Sequence, residues 1–205
     1  MSTINKPTTP AGVADTLAAI RADLRSAMNG VAAQSIRESG MAYRLVYGVE
    51  LPRLREIAAS FAPDRQLALQ LWQSEVREEK MLALLLFPSE AFDRDLATLW
   101  AESLRPEQAE LAGLMSMELL VKEPYAPDLA FVWMADERPM LQLCGFQTLT
   151  RLLMQGARLA PDAADEFRDQ AESALHADFL PLRKAAQNAL IRFEDSQNEH
   201  SDMMS

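Results

Sequence analysis

The chain is 205 residues long, 49% hydrophobic and 24% charged, which suits one soluble globular domain with a sizeable core. Its longest strongly apolar run, Met81 to Phe87, is too short to cross a bilayer, no export signal opens the chain, and one cysteine, Cys144, cannot support a disulfide framework. A cytoplasmic protein is expected, and a formal charge of −10 argues against indiscriminate adhesion to nucleic acid.

Taken in order, a polar leader over 1–9 gives way at Thr9-Pro10 to a helix with apolar residues Val13, Leu17, Ile20 and Leu24, closed by Asn29-Gly30. A second helix occupies about 31–38 and stops at Ser39-Gly40. Leu51-Pro52 starts the third, with Leu54, Ile57, Ala58 and Phe61 as its inward stripe, and Pro63-Asp64 starts the fourth, containing Leu67, Leu69 and Trp72. Helices over 75–87, 92–101, 106–122, 127–134, 139–155, 161–175 and 181–193 follow, most opening on a proline, whose missing N–H costs nothing in a first helical turn. The stretch 196–205 has no periodicity and reads as a disordered acidic tail, so a single domain is predicted over 10–195. No segment shows the two-residue alternation of a strand, and the fold class is all-α.

A short phrase returns four times: Leu71-Trp72-Gln73-Ser74-Glu75, Leu99-Trp100-Ala101-Glu102-Ser103, Val132-Trp133-Met134-Ala135-Asp136 and Ala174-Leu175-His176-Ala177-Asp178. It uses all three tryptophans of the protein. Six residues on stand Glu78, Pro106, Pro139 and Pro181; five residues on stand Arg77, Arg105, Arg138 and Leu180. Each phrase therefore marks one helix ending and the next beginning. Spacings of 28, 33 and 42 residues between the tryptophan-column positions suit a solenoid of helical hairpins with loops of variable length. Small residues, Cys144 and Gly145 among them, recur eleven and twelve residues after the column, where two helices would pack closely. The arginine column has two readings: a ladder of ion pairs with Glu75, Glu102 and Asp136, or a row of phosphate contacts along one edge.

Charge is uneven along the chain. Residues 1–62 hold seven basic and five acidic side chains, so a polyanion would meet this third before the acidic remainder. Arg37, Tyr43, Arg44 and Tyr47 interleave arginine with aromatic groups, a pattern that can grip a nucleic-acid strand. Two histidines, His176 and His200, make no metal-binding cluster, and no phosphate loop or dinucleotide turn is present; neither metal nor cofactor is expected.

The stretch Tyr47-Gly48-Val49-Glu50-Leu51-Pro52-Arg53-Leu54-Arg55-Glu56-Ile57-Ala58 resembles the signature of the DNA alkylation repair enzymes, the HEAT-like alkylpurine DNA glycosylases. The similarity continues through Leu67 to Ser74 and Glu78 to Leu84. It implies a HEAT-like solenoid whose concave surface holds duplex DNA, with alkylated bases excised by glycosidic hydrolysis. In active members, the resemblance further implies, a Trp-Asp-x-x-Asp segment supplies the carboxylate that stabilises an oxocarbenium-like sugar. Here the matching segment is Pro106-Glu107-Gln108-Ala109-Glu110-Leu111-Ala112-Gly113, with neither the tryptophan nor the aspartates. Where active members carry a backbone-holding arginine, this chain has Arg138-Pro139-Met140-Leu141-Gln142-Leu143.

The sequence thus predicts a scaffold that has lost glycosylase chemistry. Arg44, Arg53, Arg55, Arg77, Arg105 and Arg138 are the candidates for engaging nucleic acid, or a protein, on the concave face. The rival is a working glycosylase using Glu107 or Glu110, whose three-residue spacing would set them on one helix face. A third reading is a protein–protein adaptor.

Overall fold

The computed structural model describes residues 10–41 and 43–203, and the leader expected over 1–9 lies outside them. Among the described residues there are eleven α-helices and no strand; the one β-bridge, parallel, joins Leu45 to Val76. Within the span expected to be one domain, the chain divides into two compact units that meet in sequence at Ala91 and Phe92.

The first unit contains α1 (Pro10–Ser26), α2 (Gly30–Glu38), α3 (Leu51–Ala58), α4 (Arg65–Trp72) and α5 (Arg77–Leu86). α5 is its hub, packed against α3 and α4 and buried along nearly its whole length, while α1 rests on α4. Asn29 corrects the reading of Asn29-Gly30 as a stop: α1 ends at Ser26, and the Asn29 side chain accepts the Ala32 N–H to cap the start of α2. Asp64 caps α4 in the same way through Leu67 N–H at 2.7 Å.

Between α2 and α3, residues 46–49 are buried without being helical, so their backbone groups must find partners elsewhere. Tyr47 C=O accepts from Asn29 N–H at 2.9 Å, and Leu45 C=O accepts from Arg77 N–H at 3.1 Å. Gly48 has φ +76, and a Cβ there would lie 2.2 Å from the Asn29 carbonyl oxygen. Only glycine fits, because both the left-handed backbone and the approach to α2 exclude a side chain.

The second unit contains α6 (Arg94–Ser103), α7 (Ala109–Glu118), α8 (Ala126–Met134), α9 (Pro139–Met154), α10 (Pro161–Leu175) and α11 (Leu180–Met203). Here α9 is central, packed against α7, α8 and α11 and more lightly against α6; α10 lies on α11. A Cβ on Gly145 would lie 2.7 Å from the Ala130 carbonyl oxygen, so the small residue predicted at this column is what lets α8 and α9 touch. Phe146, Phe167 and Phe193 link α9, α10 and α11 in an aromatic series with centroids 6.3 and 5.3 Å apart. Ser116 and Thr148, both buried, share a 3.0 Å hydrogen bond between α7 and α9.

The tryptophan column holds in each unit. Trp72, Trp100 and Trp133 are 7%, 2% and 1% exposed, and each lies in the last turn of its helix. Three further boundaries differ from the sequence reading. Phe92 is outside α6 because Asp93 caps that helix through Leu96 N–H, leaving Phe92 to pack edge-on against Trp100. The helix expected over 106–122 is interrupted: Pro106–Gln108 and Leu120–Lys122 are 3-10 turns on either side of α7. The aperiodic stretch after Phe193 continues α11 to Met203, since no glycine or proline follows Pro181 to stop a helix already anchored by Leu182, Ala186, Ala189 and Phe193.

Candidate nucleic-acid interface

The six arginines expected to bind polyanions meet different fates. Arg44 is exposed, with its backbone N–H bound to the Glu75 carbonyl. Arg53 and Arg55 are exposed on α3, because Leu54, Ile57 and Ala58 take the inward face; Arg53 pairs with Glu56 at 2.6 Å. Arg77 is turned inward and only 8% exposed, donating through Nη1 to the Val49 carbonyl and to Glu78 Oε1, each at 3.3 Å. It is therefore a structural arginine, not an edge contact. Glu78 explains why: in this repeat the position that elsewhere holds proline carries a fully buried carboxylate, which accepts N–H groups from Tyr47, Gly48 and Val49 at 3.0, 2.9 and 3.3 Å. Its neighbours are equally committed. Glu79 takes both Arg21 Nε and Nη2, and Lys80 Nζ caps the end of α4 at the Trp72 carbonyl, 2.6 Å away and 4.9 Å from the indole centroid.

In the second unit Arg105 is exposed ahead of the 3-10 turn, its backbone N–H donating to Gln108 Oε1 at 3.2 Å. Arg138 stands between two carboxylates, 2.8 Å from Glu102 Oε1 and 2.8 Å from Asp136 Oδ1. That is the predicted ladder, realised at this rung: an arginine at a helix N-terminus faces the positive end of the dipole and is held there by acids. Side-chain hydrogen bonding from Arg138, and then its backbone N–H, hold the Asp136 carboxyl down at about 2. A depressed carboxyl favours the folded state above its ordinary titration range, and this contribution disappears as the pH falls through about 2. In a carbon-detected NMR titration Asp136 is expected to titrate near pH 2, and Arg138→Leu to return it toward the ordinary aspartate range; an unchanged midpoint in that variant would refute the pairing.

Glu107 and Glu110 lie in different elements. Glu107 is exposed in the 3-10 turn, Glu110 is half-buried in the first turn of α7, and the buried amide of Gln108 lies between them.

A groove that the sequence reading missed opens between α9 and α11, with a volume of about 390 Å³. Gln147, Thr150, Arg151 and Met154 line it from α9, spaced as one helical stripe. Ala185, Asn188, Ile191 and Arg192 line it from α11. A smaller hollow of about 200 Å³ shares Met154 and Arg192 with it and reaches Asp195 and Ser196. Residues 1–91 hold ten basic and ten acidic side chains, whereas residues 92–205 hold ten and twenty. Within that acidic second unit the larger groove is lined by two arginines and no carboxylate. A sequence signal existed: Gln147, Thr150 and Arg151 are a polar stripe on a mostly apolar helix.

A family model for the DNA alkylation repair enzymes matches residues 20–199. The chain belongs to this family. A solved structure from a family of proteins related to the HEAT-like repeat DNA glycosylases with affinity for branched DNA structures superimposes with a TM-score of 0.75 at 16% identity, covering 91% of this chain and 79% of its own. At that identity the likeness establishes the HEAT-like fold. No curated protein matches the sequence. Of the two acids in the segment Pro106 to Gly113, Glu110 is the more enclosed. No helix among the described residues is long and apolar enough to cross a membrane, and none of their acidic, histidine or cysteine side chains cluster in threes to hold a metal ion.

Proposed function

We propose that this member of the DNA alkylation repair family binds DNA, with preference for branched forms, and does not cleave the glycosidic bond. The observation that carries the second half is the construction of the 106–113 segment. Stabilising a cationic sugar needs a carboxylate fixed in a site from which water is excluded, where its charge is poorly screened. Glu107 is in open solvent on a 3-10 turn, Glu110 is only half-buried, and the side-chain oxygen of the intervening Gln108 accepts from the Arg105 N–H. The affinity of the structural neighbour for branched DNA supports the first half. So does the charge balance: a chain of net charge −10 gains little from a uniform duplex and more from a ligand whose shape fits a locally basic surface.

Incubating the purified protein with alkylated duplex DNA and following release of methylated purines tests the proposal. No release above the protein-free control is expected. Release that Glu110→Gln abolishes would overturn it and establish a glycosylase.

A further inference from the structure

We propose that the groove between α9 and α11 seats an unpaired nucleotide of a branched or single-stranded DNA: its phosphate between Arg151 and Arg192, its base against Met154 and Ile191 with the Gln147 and Asn188 amides at the base edge. The inference rests on the DNA-binding reading above and deepens it.

The first support is size. About 390 Å³ falls within the range of about 300–1,000 Å³ typical of small-ligand sites, enough for one nucleotide and far too little for a duplex. The second is charge. Around the groove the second unit has two acids for every base, yet the lining contains two guanidinium groups and no carboxylate. An arginine fork is pre-shaped for phosphate oxygens.

Neither guanidinium is locked by a strong partner. Among the described residues Arg151 Nη1 approaches only the Met154 sulfur, at 4.0 Å, and Arg192 meets Asp195 at 3.4 Å in an exposed pair that a phosphate can displace.

The third support is the mixture of lining chemistry. Met154 and Ile191 are large apolar side chains left 53% and 47% exposed, beside two primary amides that each offer both a donor and an acceptor. That pairing matches a flat, apolar-faced group with a polar edge, which is what an unstacked base presents. Methionine sulfur packs well on aromatic rings, and an arginine plane stacks on them. Because the lining has no aromatic side chain, the base should be held less tightly than the phosphate and without strong sequence preference. Both walls are helices, so the site is preformed.

Fluorescence anisotropy with three probes tests this: a blunt duplex, a fork with two oligothymidine arms, and the same fork with abasic arms. Wild type should prefer the thymidine fork. The double variant Arg151→Ala/Arg192→Ala should weaken fork binding about tenfold near 0.1 M salt and flatten its salt slope by about 0.7, the share of one single-strand phosphate contact. Gln147→Ala/Asn188→Ala should erase the preference for thymidine over abasic arms while sparing the salt slope. Circular dichroism confirms the fold of each variant. Fork binding by the arginine variant equal to that of wild type overturns the groove assignment alone. Absence of binding to all three probes overturns the DNA-binding reading and this inference with it.

Discussion

Replacing Glu78 with alanine is expected to cost about 3–5 kcal/mol of folding stability, the range for removing one partner from a buried charged pair. The carboxylate is fully enclosed and serves four donors: the N–H groups of Tyr47, Gly48 and Val49, and the guanidinium of Arg77. Truncation strands the three amide N–H groups in a place water does not reach and leaves Arg77 Nη1 with the Val49 carbonyl. The turn cannot rearrange to compensate, because Gly48 is pressed against the Asn29 carbonyl and Tyr47 C=O is bound to Asn29 N–H. Glu78→Gln should cost less, about 1–3 kcal/mol, since one oxygen still accepts while its amide N–H₂ confronts donors. Urea unfolding followed by circular dichroism measures the loss. Hydrogen exchange localises it: the amides of residues 47–49 should lose protection in Glu78→Ala before α5 does. Wild-type protection at those three amides, with stability changed by less than about 1 kcal/mol, would mean the carboxylate is dispensable there.

This turn also shows where reading the sequence succeeded and where it stopped. Prolines at 52, 106, 127, 139, 161 and 181 each fall in the first turn of a helix or 3-10 segment, since that is where a residue lacking N–H is tolerated, and so the number of helices and most of their starts were legible. Boundaries set by a side-chain cap were less so: Asp93 caps α6 and leaves Phe92 outside the helix, against Trp100. The arginine column misled for a related reason. Arg77 and Arg138 occupy equivalent positions in the repeat, yet one is followed by a buried glutamate and turns inward, while the other is followed by proline and reaches Glu102 across 36 residues. Residue type at a repeat position states what a side chain can do; the partner is chosen by the neighbouring helix. The groove was hidden on the same ground, because Arg151 and Arg192 are 41 residues apart and become neighbours only when α9 and α11 pack together.

Trp133 gives the second large expected effect, and its nearest substitutes discriminate between two contributions. It is 1% exposed on α8, so Trp133→Ala should cost about 3–5 kcal/mol through lost contacts and the cavity left behind. Its indole Nε1 is buried without a hydrogen-bond partner among the described residues, and a stranded donor carries a penalty of about 1–3 kcal/mol. Trp133→Phe removes that donor along with part of the ring. The two changes oppose one another, and the phenylalanine variant should lose no more than about 1.5 kcal/mol, within the range of a volume-tolerant apolar replacement. Urea unfolding monitored through Trp100 fluorescence, with Trp72 changed to phenylalanine in every background compared, reads the second unit directly. Should Trp133→Phe prove as damaging as Trp133→Ala, the indole nitrogen must be satisfied by an enclosed water, and the contribution of this tryptophan would be polar as well as steric.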